Sequence, residues 1–143
     1  MKHYEVVAAV IEHDSKILCM QRNLGKFDYT SYKFEFPGGK IEAGESRHEA
    51  LERELREEMD MNISISEDDY LMTVEHKYPD FSIIMHAFKC EVQNPNFVMK
   101  EHKSFQWLPV SEMSKLDWAA ADIPIVKKLQ ELEIQSMLSK LNI

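Results

Sequence analysis

Residues 36–61 read FPGGKIEAGESRHEALERELREEMDM, and this segment constrains the chain more than any other. It holds seven glutamates, three arginines and three of the chain's four glycines. A solvated helix can carry such charge for solubility alone, but it has no need of the glycines just ahead of it. Ser46-Arg47-His48-Glu49 has the form of a capping box, so the spacing predicts a helix that starts there and runs to about Met59. At about 100° per residue, Glu54, Glu57 and Glu58 share a strip roughly 100° wide, with Leu51 and Leu55 beside it and Glu49, Glu52 and Arg56 pointing away. Ala50 falls within that strip, where a larger side chain would crowd whatever the carboxylates surround. Like charges at this spacing cost roughly 0.2–0.5 kcal/mol per pair. A divalent cation removes the penalty, and hard oxygen ligands suit Mg2+ or Mn2+. Gly38, Gly39 and Gly44 permit a tight turn ahead of the helix and a close approach of backbone, from which a carbonyl can complete a metal shell. Arg53, at the edge of the strip, is placed to pair with Glu45 across the junction between loop and helix.

The remainder of the 143 residues has the size and balance of one compact domain spanning 1–143. Glu5–Glu12 and Lys16–Arg22 read as a hairpin closed at Asp14-Ser15, and Asn23–Tyr32 as a loop of the kind that faces ligands. Asn62–Ser66, Tyr70–Tyr78, Phe81–Val92 and Ser104–Leu108 read as strands. From Asp122 a long amphipathic helix follows, with Ile125, Val126, Leu129, Leu132 and Met137 at helical spacing. The expected fold class is therefore α/β, a mixed and largely antiparallel sheet with two main helices. A formal charge of −8 argues against a nucleic-acid polymer as the ligand. The apolar run near the N-terminus is too short for a membrane span or a signal-peptide core, so no membrane partner and a cytoplasmic location are expected. Cys19 and Cys90 read as buried free thiols.

Gly39, five residues, Glu45, seven residues, then Arg53-Glu54-Leu55, one residue and Glu57-Glu58 resembles the Nudix box, and EFPGGKIEAGES resembles the MutT-like branch of the Nudix hydrolases. The resemblance implies an α/β/α sandwich and hydrolysis of a nucleoside triphosphate to the monophosphate and pyrophosphate with Mg2+ or Mn2+. It implies Gly39, Glu54, Glu57 and Glu58 as metal ligands, with Glu45 and Arg53 supporting them. The general base is Glu54 or Glu101, the latter matching a loop glutamate that serves relatives as ligand or base. The pattern is broken at one position, where Asp60 replaces a glycine at the helix exit. A modest cost in stability and intact chemistry are expected from it.

The same resemblance places Arg22 on phosphate and Asp122 on the base edge. An ionised Asp122 would accept from an exocyclic amino group such as N4 of cytosine, and the same residue is a good N-cap for the helix that follows. Lys40 and Phe34 complete the candidate substrate-binding set, while Tyr29, Tyr32 and Trp118 divide between core and stacking surface and Trp107 belongs to the core. His76, His86 and His102 show no metal-ligand pairing. The implied substrates are cytidine nucleotides (CTP, dCTP, 5-methyl-dCTP) or an oxidised purine nucleotide (8-oxo-dGTP). The same box is open to ADP-ribose, nucleotide sugars and dinucleoside polyphosphates, which no extra domain or extended loop favours here. A nucleotide-sensing module without catalysis would be expected to have lost box glutamates, and here all four remain. No motif speaks to oligomeric state.

Overall fold

The computed structural model describes residues 1–141. Its central strand, β1 (Lys2–His13), is buried on both faces from Val7 to Ile11, because successive side chains of a strand point to opposite sides. Val7, Ala9 and Ile11 enter one core, and Ala8 and Val10 enter the other. β2 (Lys16–Gln21) divides in the same way, with Leu18 and Met20 on the first side and Ile17 and Cys19 on the second. A helix covers each face. α1 (Arg47–Met59) contributes Ala50, Leu51, Leu55 and Met59 to the first core, and α2 (Ile123–Leu141) contributes Ile125, Val126 and Leu129 to the second. The result is the expected α/β/α sandwich.

The sheet is mixed. β6 (Phe81–Glu91) runs parallel to β1 from the pair Lys2–Phe81 to the pair Glu12–Glu91, and β5 (Tyr70–Lys77) is antiparallel to β6. The β1–β2 hairpin turns through Asp14 and Ser15, both at positive φ, as a two-residue turn requires. The two strands pair only next to that turn, and β2 then diverges to pair with β3 (Phe34–Glu35) and β7 (Ser104–Leu108). The edge of β1 left free by this divergence is taken by β4 (Gly38–Lys40), through Val6–Lys40, Val7–Gly39 and Ala8–Gly38. The glycine segment is thereby threaded into the middle of the sheet, directly in front of α1.

Three local expectations change. Gly38 and Gly39 are extended in β4 rather than turning, and of the glycines only Gly44 has positive φ, at 85°. Asn62–Ser66 forms no strand. Ile65 is buried against α1, but its N–H is taken by Glu52 Oε2 at 3.0 Å, and a 3-10 turn at Glu67–Asp69 follows. Met137 is exposed along with Ile134, Leu138 and Leu141, since only the first half of α2 lies on the sheet.

The ends of α1 carry their own signals. Ser46 Oγ accepts from Glu49 N–H and Glu49 Oε1 accepts from Ser46 N–H, so the capping box is complete. At the other end Asp60 has φ 52° and ψ 33°, the left-handed conformation the missing glycine would have adopted freely, and its carboxylate meets Lys100 Nζ at 2.8 Å. That ion pair is exposed and contributes little. Asp60→Gly is therefore expected to raise stability by roughly 0.5–1 kcal/mol. Urea unfolding checks this, and a lowered midpoint would show that the Lys100 contact outweighs the backbone strain.

Candidate active site

The site begins where β4 passes α1. A Cβ on Gly38 would overlap the Val7 carbonyl, and one on Gly39 would overlap the Glu54 carboxylate. Bare backbone at Gly39 leaves the space that the Glu54 carboxylate occupies, and a Cβ there would displace that carboxylate. Ala50 has a different role from the one its position on the helical wheel suggests. It is fully buried in the core between α1 and the sheet, where its small size lets the helix approach.

Arg53 organises the carboxylates. Its side chain is 14 % exposed. Nε and Nη2 donate to the two oxygens of Glu45 at 2.6 and 3.0 Å, and Nη2 also donates to the Lys40 carbonyl at 3.0 Å. Nη1 donates to Glu54 at 3.0 Å and Glu57 at 3.2 Å. One planar guanidinium thus joins β4, the loop after it and α1, using its donors in two directions. Glu45 is held below the usual carboxylate range chiefly by its hydrogen bonds from Arg53.

The positive charge of Arg53 does not satisfy the whole cluster. Burial raises the Glu54 carboxyl although Arg53 opposes the shift. Glu58 is pushed up to about 7, first by burial and then by repulsion from Glu54 and from Glu101, which is exposed on the segment ahead of β7. Among the described residues no three acidic, histidine or cysteine side chains stand as a ready ligand set, and Glu54 and Glu57 both accept from Arg53. The donor chemistry nevertheless fits a divalent cation. Hard carboxylate oxygens lie beside the bare backbone of Gly39, and a cation bound there would offset the burial and the Glu54 repulsion that disfavour a charged Glu58.

A cleft of about 840 Å³ opens from this point. Gly39 and Lys40 line it together with Arg22, Glu35, Phe36 and Asp122, and with the aromatic side chains of Tyr78 and Phe27. Lys40 Nζ sits 4.4 Å from the centre of the Tyr4 ring. Arg22 Nη1 donates to Glu35 Oε1 at 3.0 Å. Asp122 is 5 % exposed and accepts from Phe36 N–H at 3.0 Å. This carboxylate serves the neighbouring segment rather than capping α2, and Asp122 itself closes a 3-10 turn at Ala120–Asp122. Burial, reinforced by the Glu35 charge, raises its carboxyl well above the usual range. Burial thus works against the ionised acceptor expected from sequence, while the Phe36 N–H and Arg22 favour it.

Phe34 does not line the cleft. It is buried in the α2-side core, edge-on to Trp118 at 6.3 Å, and its place on the cleft wall is taken by Phe36, which stacks on Trp118 at 4.8 Å. Trp107 is half-buried against the α1-side core. Tyr32 is exposed, whereas Tyr29 stacks between Phe27 and Tyr78. Glu35, Phe36 and His102 were not singled out from sequence as site residues, although the first two lie in EFPGGK beside the glycines. His102 Nε2 donates to Glu35 Oε2 at 2.9 Å.

Comparison with known proteins supplies a context for this geometry. Residues 1–129 match the NUDIX domain family. The CTP pyrophosphohydrolase of Escherichia coli (strain K12) is 36 % identical over 132 residues, 92 % of this chain and 95 % of that protein. The 8-oxo-dGTP diphosphatase of the same organism is 27 % identical over 132 residues, 92 % of this chain and all of that one. A solution NMR structure of MutT, a Nudix hydrolase from methicillin-resistant Staphylococcus aureus 252, superposes with a TM-score of 0.69 at 40 % identity, covering 92 % of this chain and 99 % of that chain. The glycine strand and glutamate helix thus sit within a family match that takes in most of the chain, and the protein is a Nudix hydrolase.

Proposed function

We propose that this hydrolase cleaves nucleoside triphosphates to the monophosphate and pyrophosphate, acting on a cytidine nucleotide or on an oxidised purine nucleotide such as 8-oxo-dGTP. The observation that carries this reading is the single cleft joining Asp122 and its aromatic neighbours to Gly39 and Lys40. Its volume of about 840 Å³ leaves room for a nucleotide. The names of the relatives, a CTP pyrophosphohydrolase and an 8-oxo-dGTP diphosphatase, agree with both substrate classes.

Glu54, Glu57, Glu58 and the Gly39 carbonyl would hold Mg2+ or Mn2+. When bound, such an ion neutralises phosphate charge and favours in-line attack by water. Arg22 and Lys40 bind phosphate oxygens, and Arg53 holds the loop and helix in register through Glu45. Glu54 is already engaged by Arg53, so the exposed carboxylate of Glu101 is the group that takes the proton from the attacking water. Protonated Asp122 offers an O–H donor beside an acceptor oxygen. That pair complements N3 and N4 of cytosine, and equally O6 and N7–H of 8-oxoguanine.

Two experiments test these assignments. Glu57→Gln should lower metal-dependent pyrophosphate release by about 100-fold or more with little change in unfolding, as expected when a hard ligand is lost. Unaltered turnover across a Mg2+ titration would remove Glu57 from the metal set. Asp122→Asn retains a donor and an acceptor and should keep kcat/KM on the preferred nucleotide within about threefold, whereas Asp122→Ala should lose at least about tenfold. Equal losses in the two variants would mean that the ionised form reads the base. A raised pKa in the folded state also fixes the sign of the pH dependence. The stability that Asp122 contributes is present below the ordinary carboxylate pKa and is lost as pH rises through the raised value. The gain in stability of Asp122→Asn over wild type should therefore grow toward alkaline pH.

A further inference from the structure

Glu35 is an anion on the wall of a cleft that receives an anionic substrate. It is neither one of the metal ligands nor the residue that reads the base, although its charge bears on Asp122. Left free, it would repel phosphate. Both of its oxygens are occupied, Oε1 by Arg22 Nη1 at 3.0 Å and Oε2 by His102 Nε2 at 2.9 Å. The His102 side chain is only 7 % exposed, and its Nδ1 is buried without a partner. The contact with Glu35 is thus the polar interaction that orients the ring. Arg22 has the complementary property. One donor is fixed on Glu35, while its Nε–H is shielded from water and unpaired. A buried N–H without an acceptor is costly, and it is the accessible part of this side chain, which is 40 % exposed overall, that is left to meet a phosphate oxygen.

The three residues also come from three separate elements. Arg22 follows β2, Glu35 ends β3, and His102 belongs to the segment before β7, next to Glu101. That segment is fastened a second time by Asn23 Nδ2, which donates to the Glu101 carbonyl at 2.8 Å.

We propose that Glu35 is a positioning residue: backed by His102, it holds the Arg22 guanidinium in one orientation within the cleft so that its remaining donors meet the substrate phosphates. The proposal rests on the reading of Arg22 as a phosphate-binding group. In this role Glu35 acts through Arg22. A planar guanidinium gains most from this arrangement, because fixing one edge fixes the direction of every other N–H. An ordinary partly exposed ion pair would instead contribute nothing measurable to substrate binding.

A double-mutant cycle separates the two cases. Glu35→Ala, Arg22→Ala and the double variant are compared in steady-state kinetics on whichever nucleotide the wild-type enzyme cleaves fastest. Glu35→Ala should raise KM about tenfold and change kcat by less than about threefold. In the Arg22→Ala background the same substitution should add less than about twofold, since the group it positions is gone. Glu35→Gln keeps the shape of the side chain but turns a donor toward one of its two donor neighbours, and should reproduce the rise in KM with an unchanged melting temperature. His102→Leu should show a smaller rise, and His102→Gln, whose amide can donate to Glu35, should reverse it.

A KM for Glu35→Ala and Glu35→Gln within about twofold of wild type would overturn the proposal, as would effects that multiply fully with Arg22→Ala. Arg22→Ala with an unchanged KM would overturn it too, by removing the phosphate role on which it depends. A wild-type enzyme that ignores nucleoside triphosphates but cleaves ADP-ribose would refute the substrate assignment alone, and the cycle run on ADP-ribose would still decide the role of Glu35.

Discussion

The guanidinium of Arg53 is the interaction on which the site depends. Carboxylates on one helical strip repel each other, and burial against a sheet makes the repulsion stronger. Arg53 meets Glu45, Glu54, Glu57 and the Lys40 carbonyl from one largely buried plane, so the cluster persists and its loop stays docked. It leaves Glu58 under the burial and the Glu54 repulsion that disfavour its charged form, and a divalent cation would offset both. Lysine would supply the charge but not the fork, because its ammonium is a point charge on a flexible stem.

The sheet supports this arrangement through one topological choice. β1 and β2 separate soon after their turn, and the opened edge of β1 accepts the glycine strand. Gly38 tolerates the close approach to Val7, and Gly39 admits Glu54. Ala50 keeps α1 near enough for that carboxylate to arrive. The long parallel pairing of β1 with β6 gives the site a rigid floor buried on both sides. Fold and site are therefore coupled at a few small residues: an added side chain at Gly38 would press on the backbone of β1, and one at Gly39 would displace the Glu54 carboxylate.

Much of this was legible in the sequence. The capping box, the extent of α1, the hairpin and most strands depend on local pattern, and the pairing of Arg53 with Glu45 follows from residue spacing. What could not be read depends on tertiary surroundings. Two- and three-residue strands have no period, so β3 and β4 were invisible and the glycines suggested a turn. Ile63 and Ile65 alternate as a strand does, yet no sheet edge is offered to them and the Glu52 side chain takes a backbone N–H instead. Phe34 and Phe36 are indistinguishable in composition, and only the position of Trp118 decides which faces the cleft. The burial that favours a protonated Asp122 arises from segments far apart in the chain.

The most direct measurement is Mn2+ binding followed by electron paramagnetic resonance in the wild-type protein and in Arg53→Lys, with folding of both verified by unfolding. The expected result is saturable binding in the wild type and an affinity at least about tenfold weaker in the variant, because the carboxylates lose the plane that gathers them. Absence of Mn2+ binding in the wild type, or equal affinity in the two proteins, would contradict the view that Arg53 assembles a divalent-cation site from the α1 glutamates.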